Sequence, residues 1–266
     1  MVACTMLFCL ASGDFDLSVE SIVACSGVLA AVVTNDTGSV VAGVLAGIAM
    51  GGIVGLVNGC TIAKLKINAL ITTLATMQIV RWLALLVSGG RAVSIRETGF
   101  DALGRSLFLG VPTPIWITVV CFTLFGILLH KTPYGRNALA IGGNEEATRL
   151  AGVAVARTKI TIFTVQGMMA GFAGVVLASR LGSGQPNTSA GFSLDVISAC
   201  VLGGVSLTGG VGTITGCLVG VLIMGMVQNA MNLQGVETFY QYVVRGLILL
   251  AAVLFDRMRQ GLSGRA

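Results

Sequence analysis

Two short stretches, SGDFDLSVES at 12–21 and AGFSLDVISA at 190–199, place acids and hydroxyls in a chain that is only 10% charged. Asp14, Asp16 and Ser18 in the first, and Ser193 and Asp195 in the second, sit at glycine-flanked starts of apolar runs, where a broken helix is expected. Such groups have two uses. They can line an aqueous route through an apolar protein, or they can accept backbone N–H groups as helix N-caps. Residue type leaves both open. A third polar stretch, GRNALAIGGNEEATRLAGV at 135–153, predicts a short helix. Asn144 caps it, Glu145 and Glu146 fill its first turn, Arg149 its last, and Gly152 ends it. Ala147, Leu150 and Ala151 share a small apolar face, and so short a helix needs docking to persist. It rests on its own bundle, or it is a peg for a cytoplasmic partner.

The elements that must position these residues are membrane helices. Hydrophobic residues make up 55% of the sequence and mean hydropathy is +0.93. A bilayer core of about 30 Å needs about 20 apolar residues per helix, and backbone groups in lipid must be satisfied within each segment. The expected fold is an all-α, polytopic helical bundle forming one transmembrane domain over 1–266. Its spans fall at roughly 19–34, 40–62, 67–88, 112–130, 159–179, 193–208, 212–230 and 238–255. Those at 19–34 and 193–208 are short for a full crossing. Met1 to Ser12 is apolar, with no basic region before it and no cleavage signature after it. It reads as the second half of a helix, with the expectation that the chain starts late and a complete relative carries another span.

Basic residues set the orientation. Lys64 and Lys66, the stretch with Lys131, Arg136, Arg149, Arg157 and Lys159, and the tail with Arg257, Arg259 and Arg265 all belong in the cytoplasm by the positive-inside rule, and parity agrees. The segment 89–111 carries Arg91, Arg96 and Arg105 yet falls outside by parity, with Glu97 and Asp101 softening the conflict. Arg81 and Arg245 lie within apolar runs, and snorkelling to the outer interface is the simplest account of them.

Catalytic chemistry finds little support. The seven cysteines lie singly in or beside apolar runs, without metal-ligand spacing, and His130 has no ligand partner nearby. No phosphate loop, nucleophile elbow or H-E-x-x-H pair is present. No cofactor and no nucleic-acid partner is expected, and nucleotide hydrolysis must reside elsewhere.

The chain also repeats itself. GDFDLSVESIVACSGV (13–28) matches AGFSLDVISACVLGGV (190–205) in register, GGIVGLVNG (51–59) resembles the run ending GMVQNA, and IVRWLALLV (79–87) resembles VVRGLILLA (243–251). Parity gives the copies, about 13–88 and 190–255, opposite senses. Inverted repeats of this kind point to transport at their interface, beside interrupted helices. The spacings among Gly43, Gly47, Gly51 and Gly55, and between Gly216 and Gly220, suit close helix packing.

These motifs resemble those of ATP-binding-cassette importer permeases of the ribose and arabinose type. SGDFDLSVES resembles the first signature of that family, ISACVLGGVSLTGGVGTITG its second, and IGGNEEATRLAGV its cytoplasmic coupling segment, about 131–158 here. KINALITTLATMQIVR, SGQP and QYVVRGLILLAAVLFDR are most alike to the L-arabinose members. The resemblance implies a homodimeric, multi-pass inner-membrane subunit embedded in lipid. A periplasmic sugar-binding protein delivers the sugar to it, and a cytoplasmic ATPase drives it. It implies that Gly143, Asn144, Glu145, Glu146, Ala147, Arg149 and Gly152 couple to the ATPase. It also places Asp14, Asp16, Ser18, Ser193 and Asp195 near the translocation pathway. Glu20 and Trp82 stand where relatives have small residues, and Ser193 where a Glu is common. The residues by themselves leave open another pentose or a hexose, a proton-coupled secondary transporter, and an inactive relic.

Overall fold

Gly-rich helix seams and capped helix ends organise the chain. The computed structural model describes residues 1–263, with side chains except at 255–257 and 259–263; the tail residues Arg257, Arg259 and Arg265 fall outside these described side chains. The helices are α1 (Val2–Ala11), α2 (Val19–Thr37), α3 (Val40–Leu65), α4 (Ala69–Ser88), α5 (Thr113–Lys131), α6 (Pro133–Gly143), α7 (Glu145–Leu150), α8 (Val155–Leu181), α9 (Phe192–Leu202), α10 (Ile214–Leu233) and α11 (Thr238–Ser263). Six of them, α2, α3, α4, α5, α8 and α10, are long and apolar enough to cross a membrane. The protein is a polytopic helical bundle. Its strands are two-residue pieces: β1 (Val93–Ser94) pairs with β4 (Ser183–Gly184), and β2 (Leu107–Phe108) with β3 (Val111–Pro112).

The boundaries follow local chemistry. Ser39, Asn68, Asn144 and Thr213 each cap a helix, accepting backbone N–H groups of its first turn. Pro133 opens α6, where its missing N–H costs nothing. Of the two spans expected to be short, 19–34 runs on as α2 to Thr37 and is long enough to cross. The run 193–208 stays helical only to Leu202, because Gly204, Gly209 and Gly210 adopt positive φ and the chain from 203 to 213 is irregular. At about 1.5 Å per residue α9 spans about 16 Å, half a bilayer core. The polar stretch at 135–153, expected to hold one short helix, holds most of α6 and all of α7.

Backbone-to-backbone packing fixes the centre. Along α3 and α8, Gly51 and Gly167 face each other so closely that a methyl on either would overlap the carbonyl of the other. The expected glycine packing is present. α1 is buried along its whole length against α5, α6, α8, α9 and α10.

One face gathers the end of α3, the start of α4, α7, the start of α8 and the α1–α2 joint, all around a single cavity. By its basic residues this is the cytoplasmic face. The segment 89–111 lies at the opposite face, where β1 meets β4 and Arg105 donates to the Arg180 carbonyl and pairs with Asp101. The 203–213 turn, after α9, meets Gly13 and Gly142 on the cytoplasmic side, and Gly210 N–H donates to the Ala11 carbonyl there. Thus α9 ends on the cytoplasmic face, whereas α2 ends on the opposite one, where Asn35 bonds Ser94 and Arg96 of the 89–111 segment. The matched segments run in opposite senses.

Candidate functional site

The polar residues sort into two levels. At the cytoplasmic level, the Asn144 side chain accepts the Ala147 N–H at 2.9 Å, as the sequence predicts, and Arg149 pairs with Glu146 at 2.6 Å. Gly152 follows with φ of +87°. The apolar face of α7 does not rest on the bundle: Ala147, Leu150 and Ala151 are exposed, Leu150 at 79%, while Thr148 is the residue turned inward. Gly143, Glu145 and Glu146 are exposed as well. The helix is a peg held from behind. Part of the hold is ionic, since Lys159 Nζ lies 3.0 Å from Glu145 and 3.0 Å from Asp14. Asp14, Lys66, Glu145, Glu146, Arg149 and Lys159 contribute the charged lining of a cavity of about 410 Å³. Burial pushes the Asp14 carboxyl above its usual range, and Lys159 opposes that shift.

Deeper in the bundle, Asp16 and Ser18 are buried together. Asp16 Oδ1 accepts both the N–H and the hydroxyl of Ser18, and Asn58 donates to Ser18 Oγ at 2.9 Å. Ser18 makes no side-chain cap to α2, and no side chain of its own helix caps α9. The cap of α9 comes from another helix. Glu20 Oε2 accepts the Gly191 N–H at 2.9 Å and the Ser193 hydroxyl at 3.1 Å, placing a negative charge at the α9 N-terminus. Thus two of the three positions set apart as departures, 20 and 193, touch each other.

Arg81 and Arg245 are not snorkelled outward. Arg81 pairs with Glu20 at 3.4 Å and donates to the carbonyls of Pro186 and Thr188 at 2.8 and 2.9 Å. It lies 12 residues beyond the first residue of α4, about 18 Å along the axis at 1.5 Å per residue. The segment 185–191 therefore dips into the membrane and is held there. Arg245 pairs with Asp195 at 2.9 Å and stacks over Tyr242 at 5.3 Å. Gln228 presents its amide oxygen to that guanidinium, at 2.7 and 3.2 Å, since the opposite orientation would set N–H against N–H. Local spacing cannot find these partners, because they lie 61 and 50 residues away.

The five pathway candidates accordingly do not form one lining. Asp14 faces the cytoplasmic cavity, Asp16 and Ser18 are sealed, Ser193 meets Glu20, and Asp195 faces a cavity of about 200 Å³ with Phe192 and Gln228. Among the described residues, no three His, Cys, Asp or Glu side chains are placed to hold a metal ion. Cys200 and Cys217 approach to 3.7 Å between sulfurs, both buried and both free.

Residues 1–253 match the family described as the permease component of the branched-chain amino acid transport system. The chain belongs to that family. The permease is 64% identical over 260 residues to the L-arabinose transport system permease protein AraH of Escherichia coli, covering 98% of this chain and 79% of that one. It is 60% identical to the L-arabinose ABC transporter permease protein AraH of Azospirillum brasilense, covering 97% and 76% of the two chains. The ribose import permease protein RbsC of Bacillus subtilis is 43% identical, over 97% and 81%. No solved structure matches the chain. The permease is a multi-pass transport component and not an enzyme, and permeases of this kind work with an ATPase and a substrate-binding protein.

Proposed function

We propose that the permease is the membrane-spanning subunit of an ATP-driven, binding-protein-dependent importer that carries L-arabinose across the cytoplasmic membrane. It would work as a homodimer in lipid, with the segments near 13–88 and 190–255 acting as inverted repeats around the path. The observation that carries the coupling role is the exposed α7. It is a capped, charged peg of six residues whose small apolar face points away from its own bundle.

The mechanism follows from what α7 touches. ATP binding closes the partner ATPase and draws the two α7 helices together. Each α7 is bonded behind to Lys159 and continuous with α6, whose Gly142 packs on Ala11 and Gly209. Movement of the peg therefore reaches the end of α1 and the turn that follows α9. High affinity for sugar within the membrane is not required, because a binding protein can select the sugar before delivery. The sugar itself is supported by the likeness to relatives named for L-arabinose.

The test is radiolabelled L-arabinose uptake in cells that lack their own permease but keep its binding protein and ATPase. Expression of this chain should restore uptake, and unlabelled L-arabinose should compete it away while ribose should not. Absence of uptake despite confirmed membrane insertion would count against the assignment. Competition by ribose would overturn the choice of sugar.

A further inference from the structure

Lys159 joins two elements that the sequence keeps far apart. Its ammonium is 3.0 Å from Asp14, in the α1–α2 joint, and 3.0 Å from Glu145, the first residue of α7. Only 12% of its side chain is exposed, against 58% for Glu145 and 11% for Asp14. One cation shared between the two carboxylates ties α7 to the α1–α2 joint through a single side chain, and release at the Asp14 end would leave a buried carboxylate without its counter-charge. From this geometry we infer that Lys159 is a positioning residue for transport, transmitting displacement of α7 to the α1–α2 joint.

Three features give the inference its direction. The Asp14 end is fixed, since Asp14 is buried and follows directly on Gly13, at the end of the fully buried α1. The Glu145 end is free to move, because Glu145 is exposed and borders a cavity of about 410 Å³ that Lys66, Asn68 and Ala156 also line. The lever is short. Lys159 is the fifth residue of α8, and only the 151–154 turn separates α8 from α7. A shift of α7 must then lengthen the Glu145 bridge or carry Lys159 with it, and with Lys159 goes Asp14. Gly142 supplies a parallel contact through backbone alone. That contact can push but cannot pull, whereas an ion pair can do both.

The inference rests on the proposed function, and its test separates the two. The permease is reconstituted with its ATPase and binding protein as wild type, Lys159→Met, Lys159→Arg, Asp14→Asn, and Asp14→Asn with Lys159→Met. Three quantities are read: ATPase retained on the complex, ATP hydrolysed, and L-arabinose imported per ATP. Lys159→Met should keep the ATPase bound and hydrolysing while import per ATP falls about tenfold, an ordinary coupling free energy. Lys159→Arg should recover most of that ratio, and the double variant should be no worse than Lys159→Met, because both changes break one link. An unchanged ratio in Lys159→Met overturns the inference. So does a fall accompanied by loss of the ATPase, which would show that Lys159 only holds the fold. A wild-type complex that neither retains the ATPase nor imports sugar overturns the functional assignment, and the inference with it.

Discussion

At the start of α2, Arg81 reaches Glu20 while Asn58 reaches Ser18; at the start of α9, Arg245 alone holds both Asp195 and Gln228. Overlaying 13–28 on 190–205, GLVN (55–58) on GMVQ (225–228) and IVR (79–81) on VVR (243–245) makes these counterparts: Ser18 with Asp195, Asn58 with Gln228, Arg81 with Arg245. The arginine and the amide keep their places, and the acid does not. With a neutral hydroxyl at 18, the counter-charge in the first copy comes from Glu20, two residues on. This displacement lets Glu20 cap α9 as well, so the first copy grips the second at Gly191 and Ser193, while Asp195 serves only its own copy. Electrostatic neutrality at membrane depth is the constraint both copies obey. Which residue supplies it is free to differ.

The packing beside these groups differs even more, and gives the sharpest way to break the comparison. Gly55 is buried, and a methyl on it would overlap the Phe163 carbonyl of α8; its counterpart Gly225 is exposed, with nothing within 4 Å of where a methyl would go. Gly55→Ala should destabilise the protein by about 3 kcal/mol or more, since backbone on backbone leaves nothing flexible to yield. Gly225→Ala should fall within about 1 kcal/mol of wild type, on the stabilising side, from helix propensity. Equilibrium unfolding in detergent measures both, and equal effects would mean that the two copies pack alike.

The arginines come next. Arg81→Met removes the partner of Glu20 and the donor to two carbonyls, freeing the 185–191 segment. The expected cost is about 2–3 kcal/mol, less than for a sealed pair because 16% and 13% of the two side chains stay exposed. Arg245→Met leaves Asp195 unpaired beside a cavity but frees no chain segment, and should cost less, about 1–2 kcal/mol. The contrast is read from thermal midpoints of the solubilised variants. A double change, Arg81→Met with Glu20→Gln, should recover part of the loss, because it removes the orphaned charge. If Arg245→Met proves the more damaging, the view of the first copy as the grip between copies is wrong.

Much of this was legible in the sequence where neighbours decide. The Asn144 cap, the glycine seam and the broken helices depend on residues within a turn or on hydropathy over a span, and the sequence carries those signals. The side of α7 that faces the bundle was not legible. An apolar face normally turns inward, yet Ala147, Leu150 and Ala151 turn out, and Thr148 turns in by bonding the Asn144 carbonyl. Arg81 and Arg245 were misread for a related reason. Snorkelling is the default for a lone arginine, and it yields only when a carboxylate arrives from another helix. That arrival is set by the opposite senses of α2 and α9. The one sequence hint was the matched position of the two arginines, since surface residues have no reason to recur in both copies.

The smallest expected effect tests the amides. Asn58 is fully buried and bonds a hydroxyl that itself bonds Asp16, so it supports a chain of groups sealed from water. Asn58→Ala should cost about 1–2 kcal/mol, because Ser18 loses a donor that no water can replace. Gln228 is half-buried and assists an arginine that already has Asp195 and the Tyr242 ring. Gln228→Ala should therefore cost less than about 1 kcal/mol, with solvent taking over its role. Unfolding midpoints of the two variants in one detergent suffice to rank them. Asn58→Ala as mild as Gln228→Ala would show that water already enters the Asp16–Ser18 cluster. That cluster would then belong on the aqueous route and not in the sealed core.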